Sequence, residues 1–475
     1  MEISEFKLFA YQLIDWIVEY YANIESFPVR SPLKPGDIIN QLPKEAPQKA
    51  DAFESIMSDF EKVILPAITH WQSPNFFAYF PANVSFPSIL AEILTAALGV
   101  QGMKWETSPA AAELEEQVLN WLKKAFHLPS KFTGVIQDTA STSTLVAILT
   151  AREKFFNFES NRSGLFDKHR LRVYCSTEAH SSVEKAVKIA GIGSENLVKI
   201  QVDKNFRMKP DELEEKIKKD IEQGYSPLCV VAALGTTGCT AIDPLDEIAA
   251  VCEKYNLWLH VDAAYAGSAL ILPEYRWMIK GIENVNSFVF NPHKWMFTNF
   301  DCSVYYVQNK EDLIRTFEII PEYLKTRVDS KVNNYCDWGI QLGRRFRALK
   351  LWFVLRAFGI KGISEKLRYH IKLAEMFENE LIKDGQFDLM APRTLNLVCF
   401  RYRPDTISEE KLNDLNQRIL KKINDSGKIY LSHTKLNGKF TLRFVCGQTN
   451  VSEDNVRNAL NIIKQVCVNE SAKVS

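Results

Sequence analysis

The stretch LWLHVDAAYAG (residues 257–267) indicates the fold, because a short apolar run, Leu257–Val261, leads directly into Asp262 and a series of small residues. Short apolar runs bounded by turn residues are typical of strands that are buried on both faces of a sheet. Amphipathic helical patterns separate this run from five similar ones: Val135–Gln137, Arg172–Cys175, Leu228–Ala232, Ser287–Phe290 and Ser303–Val307. The alternation predicts an α/β fold with a mostly parallel sheet covered by helices.

The segments on either side of this region have different patterns. Residues 1–25 and about 50–70 read as two helices joined by a proline-rich link, and they must pack on the rest of the chain or on a second subunit. The C-terminal part predicts a smaller α+β lobe with elements at Ser364–Lys383 (helix), Leu397–Arg401 and Thr441–Val445 (strands) and Asp454–Val466 (helix). We therefore expect an N-terminal helical segment (1–85), a large domain (86–360) and a small C-terminal α+β domain (361–475).

Composition excludes several classes of protein. The chain has 58 basic and 58 acidic residues among its 475, so no nucleic-acid partner is expected. The N-terminus carries acidic residues, unlike a signal peptide, and no apolar run approaches the roughly 18–20 residues needed to span a bilayer. Nine scattered cysteines without a C-x-x-C pair predict reduced thiols, a cytoplasmic protein and no metal site.

Three strand ends carry residues that bear on chemistry. Asp262 follows one strand, Lys294 in NPHKW follows another, and the hydroxyl-rich run DTASTST (138–144) opens a helix at about Ala140. Each has an ordinary explanation when taken alone. An aspartate after a strand is usually a turn residue, a lysine a solvated charge, and a serine or threonine at a helix start a cap.

Taken together, the three features match the requirements of pyridoxal phosphate. The lysine amine can condense with the cofactor aldehyde, the carboxylate can keep the pyridine nitrogen protonated, and the helix N-terminus can hold the phosphate. Thr237, in the LGTTGCT turn after another strand, could reach the same cavity. His180 could stack on the cofactor ring, although a helix-capping or core histidine is the alternative.

At this point the chain resembles a known family, the group II pyridoxal-phosphate-dependent decarboxylases, most closely the aromatic L-amino-acid (DOPA/tyrosine/tryptophan) decarboxylase type. The resemblance runs from about Glu5 to about Val466. Its main motifs are THWQSPNFFAYFP (69–81), SPAAAELE (108–115), VIQDTAS (135–141), AHSSVEKA (179–186), LGTTGCT (234–240), WLHVDAAYAGSA (258–269), NPHKW (291–295), NFDCS (299–303), PEYLK (321–325) and LGRRFRALKLWF (342–353).

The resemblance implies a fold-type I, aspartate aminotransferase-like homodimer, with the active site at the subunit interface and the N-terminal helices wrapped around the partner. Lys294 would carry the cofactor, Asp262 would bind the pyridine nitrogen, and Tyr323 would belong to a mobile catalytic loop. The other implied cofactor contacts are Ala140, Ser141, His180, Thr237, Ala264, Asn291 and His293. The implied substrate contacts are Trp71, Tyr79, Phe80, Pro81, Gly343 and, from the neighbouring subunit, Gln101 and Met103.

Several positions depart from the family pattern. Asp138 stands where the animal enzymes have glycine, which puts a negative charge near the phosphate region. Ala82 replaces a threonine and Cys336 an arginine, and the catalytic loop is about two residues shorter. Gln101 and Met103 replace larger or more apolar residues. These departures leave the expected chemistry in place but leave substrate preference and loop closure open.

The resemblance leads to decarboxylation of an aromatic L-amino acid to an arylalkylamine and CO2, with Tyr323 and His180 supplying the final proton. An aromatic aldehyde synthase on the same scaffold is the main alternative, but those enzymes carry phenylalanine at the position of Tyr323. Aminotransferase activity would require a keto-acid cosubstrate. A non-catalytic scaffold of this fold should have lost Lys294 or Asp262, and both are present.

Gly343 bears on the choice of substrate. In the resembling families glycine here leaves room for large rings, while serine occurs in histidine-specific and some tyrosine-specific members. The alternative is that Gly343 supplies an unusual backbone angle in a turn. We expect indoles to be accepted and histidine to be poor, with tyrosine, DOPA, tryptophan, 5-hydroxytryptophan and phenylalanine all open as the preferred substrate.

Overall fold

The computed structural model describes residues 1–165, 169–319 and 331–473. Two compact units share these residues. The large unit contains residues 82–372 and 391–397, and the small unit contains residues 1–81, 373–390 and those from 398 onward.

Helices and strands alternate along most of the large unit. The helices are α1 (Ile3–Ala22), α2 (Phe53–Asp59), α3 (Phe86–Leu98), α4 (Pro109–Ala125), α5 (Ala140–Phe155), α6 (Ser160–Ser163), α7 (Ser182–Ile189), α8 (Pro210–Glu222), α9 (Leu245–Lys254), α10 (Pro292–Trp295), α11 (Lys310–Phe317), α12 (Arg347–Asp384, interrupted at Gly359), α13 (Glu409–Asp425) and α14 (Glu453–Ser471). The strands are β1 (Thr133–Gln137), β2 (Leu171–Ser176), β3 (Leu197–Ile200), β4 (Ser226–Ala233), β5 (Trp258–Asp262), β6 (Ser287–Phe290), β7 (Ser303–Val307), β8 (Phe387–Leu389), β9 (Leu397–Tyr402), β10 (Ser432–Leu436) and β11 (Lys439–Val445).

The large unit is built on a seven-stranded sheet in the order β1-β7-β6-β5-β4-β2-β3. Strands β3, β2, β4, β5 and β6 run parallel, while β7 is antiparallel to both of its neighbours. The central strands consist of buried apolar residues because helices cover such a sheet on both faces. The sheet confirms the expected fold class.

The small unit has its own four-stranded sheet, in the order β10-β11-β9-β8. Its core includes a stack of aromatic rings, in which Phe377 lies 3.9 Å from Phe444 and Phe444 lies 4.2 Å from Phe77, measured between ring centroids. Aromatic rings bury a large apolar area, so this stack supplies much of the unit's core.

A close contact after β5 holds two strand ends together. A Cβ atom on Gly267 would lie only 2.4 Å from the Cβ of Phe290, which ends β6. Only glycine therefore allows the turn after Asp262 to pack against the end of β6, and Lys294 follows that strand end by four residues.

Two further observations bear on the composition. All nine cysteines are buried and none forms a disulfide. Across the part of the chain that the structure describes, none of the helices combines the length and the apolar character that crossing a bilayer requires.

Candidate active site

The carboxyl ends of β5 and β6 bring Asp262 and Lys294 into one region. Asp262 pairs with Val289 in the sheet register, and the Asn291 backbone N–H donates to the Ala264 carbonyl at 3.0 Å. The Lys294 N–H donates to the Asn291 carbonyl, also at 3.0 Å. Backbone hydrogen bonds thus fix where Lys294 begins relative to the turn after Asp262. Ligands of parallel sheets bind at this edge.

The charges of Lys294, Asp262 and His180 act on one another. Burial lowers the pKa of Lys294 below its ordinary value, and the negative charge of Asp262 partly opposes this effect. Burial also lowers the pKa of His180, with Asp262 raising it and Lys294 lowering it further. A lysine with a lowered pKa has more of the neutral amine that can attack a carbonyl carbon. The structure therefore brings these three predicted residues together.

Ser182 determines which nitrogen of His180 carries the proton. The Ser182 N–H donates to Nδ1 of His180 at 3.2 Å, and the Ser182 hydroxyl lies 2.8 Å from the same atom. Because Nδ1 accepts, the neutral imidazole carries its proton on Nε2. Sequence reasoning singled out His180 but missed Ser182, although Ser182 lies in the same AHSSVEKA motif.

Asn291 and His293 are both held by the start of β7. The Ser303 hydroxyl donates to Oδ1 of Asn291 at 2.7 Å, and the Cys302 N–H donates to Nδ1 of His293 at 2.9 Å. Burial lowers the pKa of His293 to about 3, with the charge of Lys294 acting in the same direction. His293 is therefore neutral and offers an N–H at Nε2.

The hydroxyl-rich run forms the start of α5, as predicted. Thr139 is the N-cap, and its Oγ1 accepts from the Thr142 N–H at 3.4 Å. The N–H groups of Ala140 and Ser141 stand in the first turn, where a helix provides no acceptor. Ser141 is exposed. This end of α5 can donate hydrogen bonds to an anion.

Thr237 and Ala264 occupy the turns after β4 and β5. The Ala264 N–H donates to Oδ1 of Asp262 at 3.0 Å, which orients the carboxylate. The Leu234 N–H donates to the Asp262 carbonyl at 2.9 Å, so the turn that contains Thr237 starts beside Asp262. Thr237 itself is exposed.

The predicted substrate residues of the small unit form an aromatic cluster. The rings of Trp71 and Tyr79 are stacked with their centroids 5.8 Å apart, and the Tyr79 hydroxyl lies 3.3 Å from the Tyr430 hydroxyl. The Phe80 ring lies 5.4 Å from the Arg443 guanidinium, and Pro81 is buried. Exposure of Trp71 and Tyr79 leaves their rings accessible.

The other predicted substrate residues lie together in the large unit. The Arg344 N–H donates to Oε1 of Gln101 at 3.0 Å, and the Gly102 N–H donates to the Arg344 carbonyl at 2.8 Å. Gly343 is therefore a neighbour of Gln101 within one chain. Met103 accepts through its carbonyl from the Cys336 N–H at 2.9 Å. It follows that whichever subunit supplies Gln101 to a substrate pocket supplies Gly343 as well.

The arrangement in the large unit fits pyridoxal phosphate. It combines a lysine of lowered pKa, a carboxylate oriented by a backbone N–H, neutral imidazole donors and the N-terminus of a 16-residue helix. These groups match the aldehyde, the pyridine nitrogen and the phosphate in turn.

Comparison with known proteins leads to the same cofactor. Residues 35–403 match the pyridoxal-dependent decarboxylase conserved domain. The chain belongs to the pyridoxal-dependent decarboxylase family. It is 42% identical to tryptophan decarboxylase 2 of Oryza sativa subsp. japonica, over 98% of this chain and 95% of that protein. It is also 42% identical to phenylacetaldehyde synthase of Arabidopsis thaliana, over 98% and 96% of the two chains.

A solved relative has the same fold. The structure of Oryza sativa TDC with PLP and tryptamine superposes with a TM-score of 0.96 at 35% identity, covering 99% of both chains. The expected fold-type I architecture, the pyridoxal phosphate cofactor and the assignment as a carboxy-lyase of the aromatic amino-acid decarboxylase type are thus confirmed.

Some residues of the decarboxylase site lie beyond the sequence prediction or the described structure. Tyr323 lies outside the described residues. The prediction also missed two buried ion pairs: Arg344 to Glu115 at 2.7 Å, and Arg347 to Asp301 at 2.8 Å. The signal was present in GRRFRALK, where cations accumulate in a segment that the structure partly buries.

Proposed function

We propose that this decarboxylase converts an aromatic L-amino acid into the corresponding arylalkylamine and CO2, with pyridoxal phosphate attached to Lys294. The observation that carries the proposal is the mutual electrostatic influence of Lys294, Asp262 and His180 at the ends of parallel strands. When bound, the cofactor supplies a pyridinium ring that withdraws electrons from the bond to the departing carboxylate.

Three residues are assigned to the reacting centre. Lys294 binds the cofactor covalently because its lowered pKa leaves a reactive amine. The Asp262 carboxylate, oriented by the Ala264 N–H, holds the proton on the pyridine nitrogen. His180 stacks on the ring with Nε2 as its N–H donor. Tyr323, together with His180, delivers a proton to Cα after CO2 leaves.

The remaining cofactor contacts hold the phosphate and the ring. We assign the phosphate to the first turn of α5 and to neutral His293, because N–H groups at a helix start and an imidazole N–H all donate to anions. The contacts assigned to the cofactor in this way are Ala140, Ser141, Thr237, Ala264, Asn291 and His293.

The substrate ring is assigned to the aromatic and small residues described above. An aromatic side chain favours apolar surfaces and ring contacts. The names of the relatives support an aromatic substrate, since one acts on tryptophan and another forms phenylacetaldehyde. The assigned contacts are Trp71, Tyr79, Phe80, Pro81, Gln101, Met103 and Gly343.

The direct test measures CO2 release from the five candidate amino acids by the purified full-length protein supplied with pyridoxal phosphate. Borohydride reduction should attach the cofactor to the Lys294 peptide of the parent, and the Lys294→Ala variant should remain unlabelled and inactive. Exposed Lys331→Ala serves as the control and should behave like the parent. Equal labelling of parent and Lys294→Ala would show that another lysine carries the cofactor.

An aldehyde synthase is the second candidate, because the Arabidopsis thaliana relative has that activity by name. Its products would be aldehyde, ammonia and peroxide in place of amine. Amine as the main product supports the decarboxylase, while CO2 with no amine would establish the alternative. Pyridoxal phosphate bound without any turnover would identify a non-catalytic scaffold.

We also propose a homodimer with its active sites at the subunit interface. Within the large unit, one face of α3 exposes apolar side chains that a second copy would cover, and in the small unit α1 has no buried residue. The exposed α3 residues are Phe86, Leu90, Ile93, Leu94 and Leu98.

Light scattering tests the dimer, with an expected mass of twice that of the chain. Leu90→Lys combined with Leu94→Lys should give monomers and abolish activity. Ile189→Lys places the same charge at an isolated exposed position on α7 and should leave the dimer intact. A monomeric parent with full activity would contradict the proposal.

A cytoplasmic location is the final part of the proposal. Nine unpaired cysteines support it, because thiols persist in a reducing compartment. Cell fractionation with antibody detection tests it, and recovery of the protein outside the cytosolic fraction would refute it.

A further inference from the structure

Asp138 lies at the point where the predicted phosphate-binding residues meet. It follows β1 directly, and the register pairs the last residue of β1, Gln137, with Ser303 at the start of β7. Ser303 holds Asn291, and the preceding Cys302 holds His293. Asp138 therefore places a carboxylate beside the groups that would bind an anion.

The Asp138 carboxylate already uses donors of the helix start. Its Oδ1 accepts from the Thr139 N–H at 2.6 Å and from the Thr139 hydroxyl at 3.4 Å. Thr139 is the N-cap of α5. A phosphate that approaches this end of the helix would have to compete with the carboxylate for the Thr139 N–H.

The surrounding charges do not neutralise Asp138 fully. Burial opposes the charged form of Arg347, but its hydrogen bond to Asp301 and the charges of Asp301 and Asp138 raise its pKa above the ordinary value. The Arg347 guanidinium lies within 2.8 Å of Asp301, which is thus its principal partner. Two carboxylates share one guanidinium, so an incoming phosphate dianion meets excess negative charge.

We propose that Asp138 weakens the hold of this site on the cofactor phosphate, so that pyridoxal phosphate is retained chiefly through Lys294 and ring contacts and exchanges readily with the free pool. The inference rests on the proposed function. Its physical basis is repulsion between like charges in a partly buried site, together with competition for one backbone donor.

The test compares Asp138→Asn, which removes the charge but can still accept the Thr139 N–H, with Asp138→Gly, which removes both. Titration of full-length apoprotein by cofactor absorbance should give a dissociation constant for pyridoxal phosphate lowered about fivefold in Asp138→Asn and about tenfold in Asp138→Gly. Inorganic phosphate should compete more effectively in both variants than in the parent.

Pyridoxal, which lacks the phosphate, provides the decisive comparison. Its affinity should change less than about twofold in either variant, because the removed charge faces the phosphate. The control is Asp211→Asn, which removes an exposed carboxylate from the first turn of α8 and should leave both affinities unchanged.

Three outcomes would overturn the inference. Unchanged or weaker binding of pyridoxal phosphate would show that Asp138 does not repel the phosphate. Equal tightening of pyridoxal would place its effect on the ring. A parent protein that binds no pyridoxal phosphate at all would refute the proposed function itself, whereas a parent that binds it normally beside indifferent variants refutes only the role of Asp138.

Discussion

The side-chain amide of Gln101 lies against Gly343, where a Cβ atom would be 3.4 Å from Nε2 of Gln101. Gly343 does not have a left-handed backbone, since its φ is not among the positive values of the described glycines. Of the two explanations for this glycine, an unusual backbone angle is thereby excluded. The small size of Gly343 is the property that matters, and a side chain placed there would meet Gln101.

Gly343→Ser should reduce turnover of indole substrates more than turnover of phenols. The Gln101 amide can hold the added hydroxyl by a hydrogen bond, so the oxygen stays in the space that a long ring would use. We expect the ratio of kcat/KM for tryptophan to that for tyrosine to fall by roughly 10–200-fold. Gly343→Ala is the matched control for the methylene alone, and histidine should be a poor substrate throughout. An unchanged ratio would remove Gly343 from the specificity determinants.

Tyr323→Phe should retain cofactor and substrate but stop forming amine. The phenol supplies the proton that Cα requires, and without it oxygen becomes the competing reactant, giving aldehyde, ammonia and peroxide. Chromatography of the products together with a peroxide assay measures the change. Tyr335→Phe removes the hydroxyl of a buried tyrosine nearby in the sequence and should keep amine as the product. Amine formation by Tyr323→Phe at the parental rate would mean that another group donates the proton.

His260 should make stability depend on pH. Burial lowers its pKa to about 4, with the charge of Asp262 in partial opposition. The unfolded chain titrates near pH 6.5, so between these values it binds a proton that the folded chain does not, and the free energy of unfolding falls as pH falls. At pH 5 the loss relative to pH 7 should be about 2 kcal/mol from this residue.

Urea unfolding of the full-length apoprotein at pH 7 and pH 5 measures the effect of His260. His260→Gln should be less stable than the parent at both pH values but should lose this part of the pH dependence. His169→Gln, which changes an exposed imidazole, should retain it. If parent and His260→Gln lose equal free energy on acidification, His260 does not remain neutral in the folded chain.

Glu115→Ala should strongly destabilise the large unit. Glu115 and Arg344 are almost fully buried, their side chains lie 2.7 Å apart, and Glu115 also accepts the Ile136 N–H at 2.8 Å. Removing one member of a buried pair leaves the other charge without compensation, which costs about 3–5 kcal/mol.

Urea unfolding again provides the measurement for Glu115→Ala. The control is Lys383→Ala, which breaks an exposed pair with Glu380 and should cost less than about 1 kcal/mol. A loss of similar size in both variants would show that the buried pair contributes no more than a surface pair.

The sheet could be predicted where burial leaves a strong pattern. The six strand predictions of the large unit overlap β1, β2, β4, β5, β6 and β7, because their residues are mostly apolar and buried. Strands β3, β8 and β10 were missed. All three lie at sheet edges, where one side of a strand is more exposed and polar residues interrupt the apolar run.

The chemistry of the site was accessible from sequence for a different reason. Lys294 and Asp262 follow strongly patterned strands, so their placement at one sheet edge follows from topology. The hydrogen bond from Ser182 to His180 and the pairing of Arg347 with Asp301 depend on tertiary geometry that no spacing reveals. Even the family resemblance could not show that Gln101 and Gly343 belong to the same side of a pocket.

The burial of all nine cysteines makes the folded protein a poor target for thiol-reactive dyes. A cysteine introduced at exposed Lys331 would then be the preferred point of attachment, without removal of any native thiol. A fluorophore placed there would stand beside the segment that carries Tyr323. Its emission during turnover would report, in real time, whether substrate alters the surroundings of that segment.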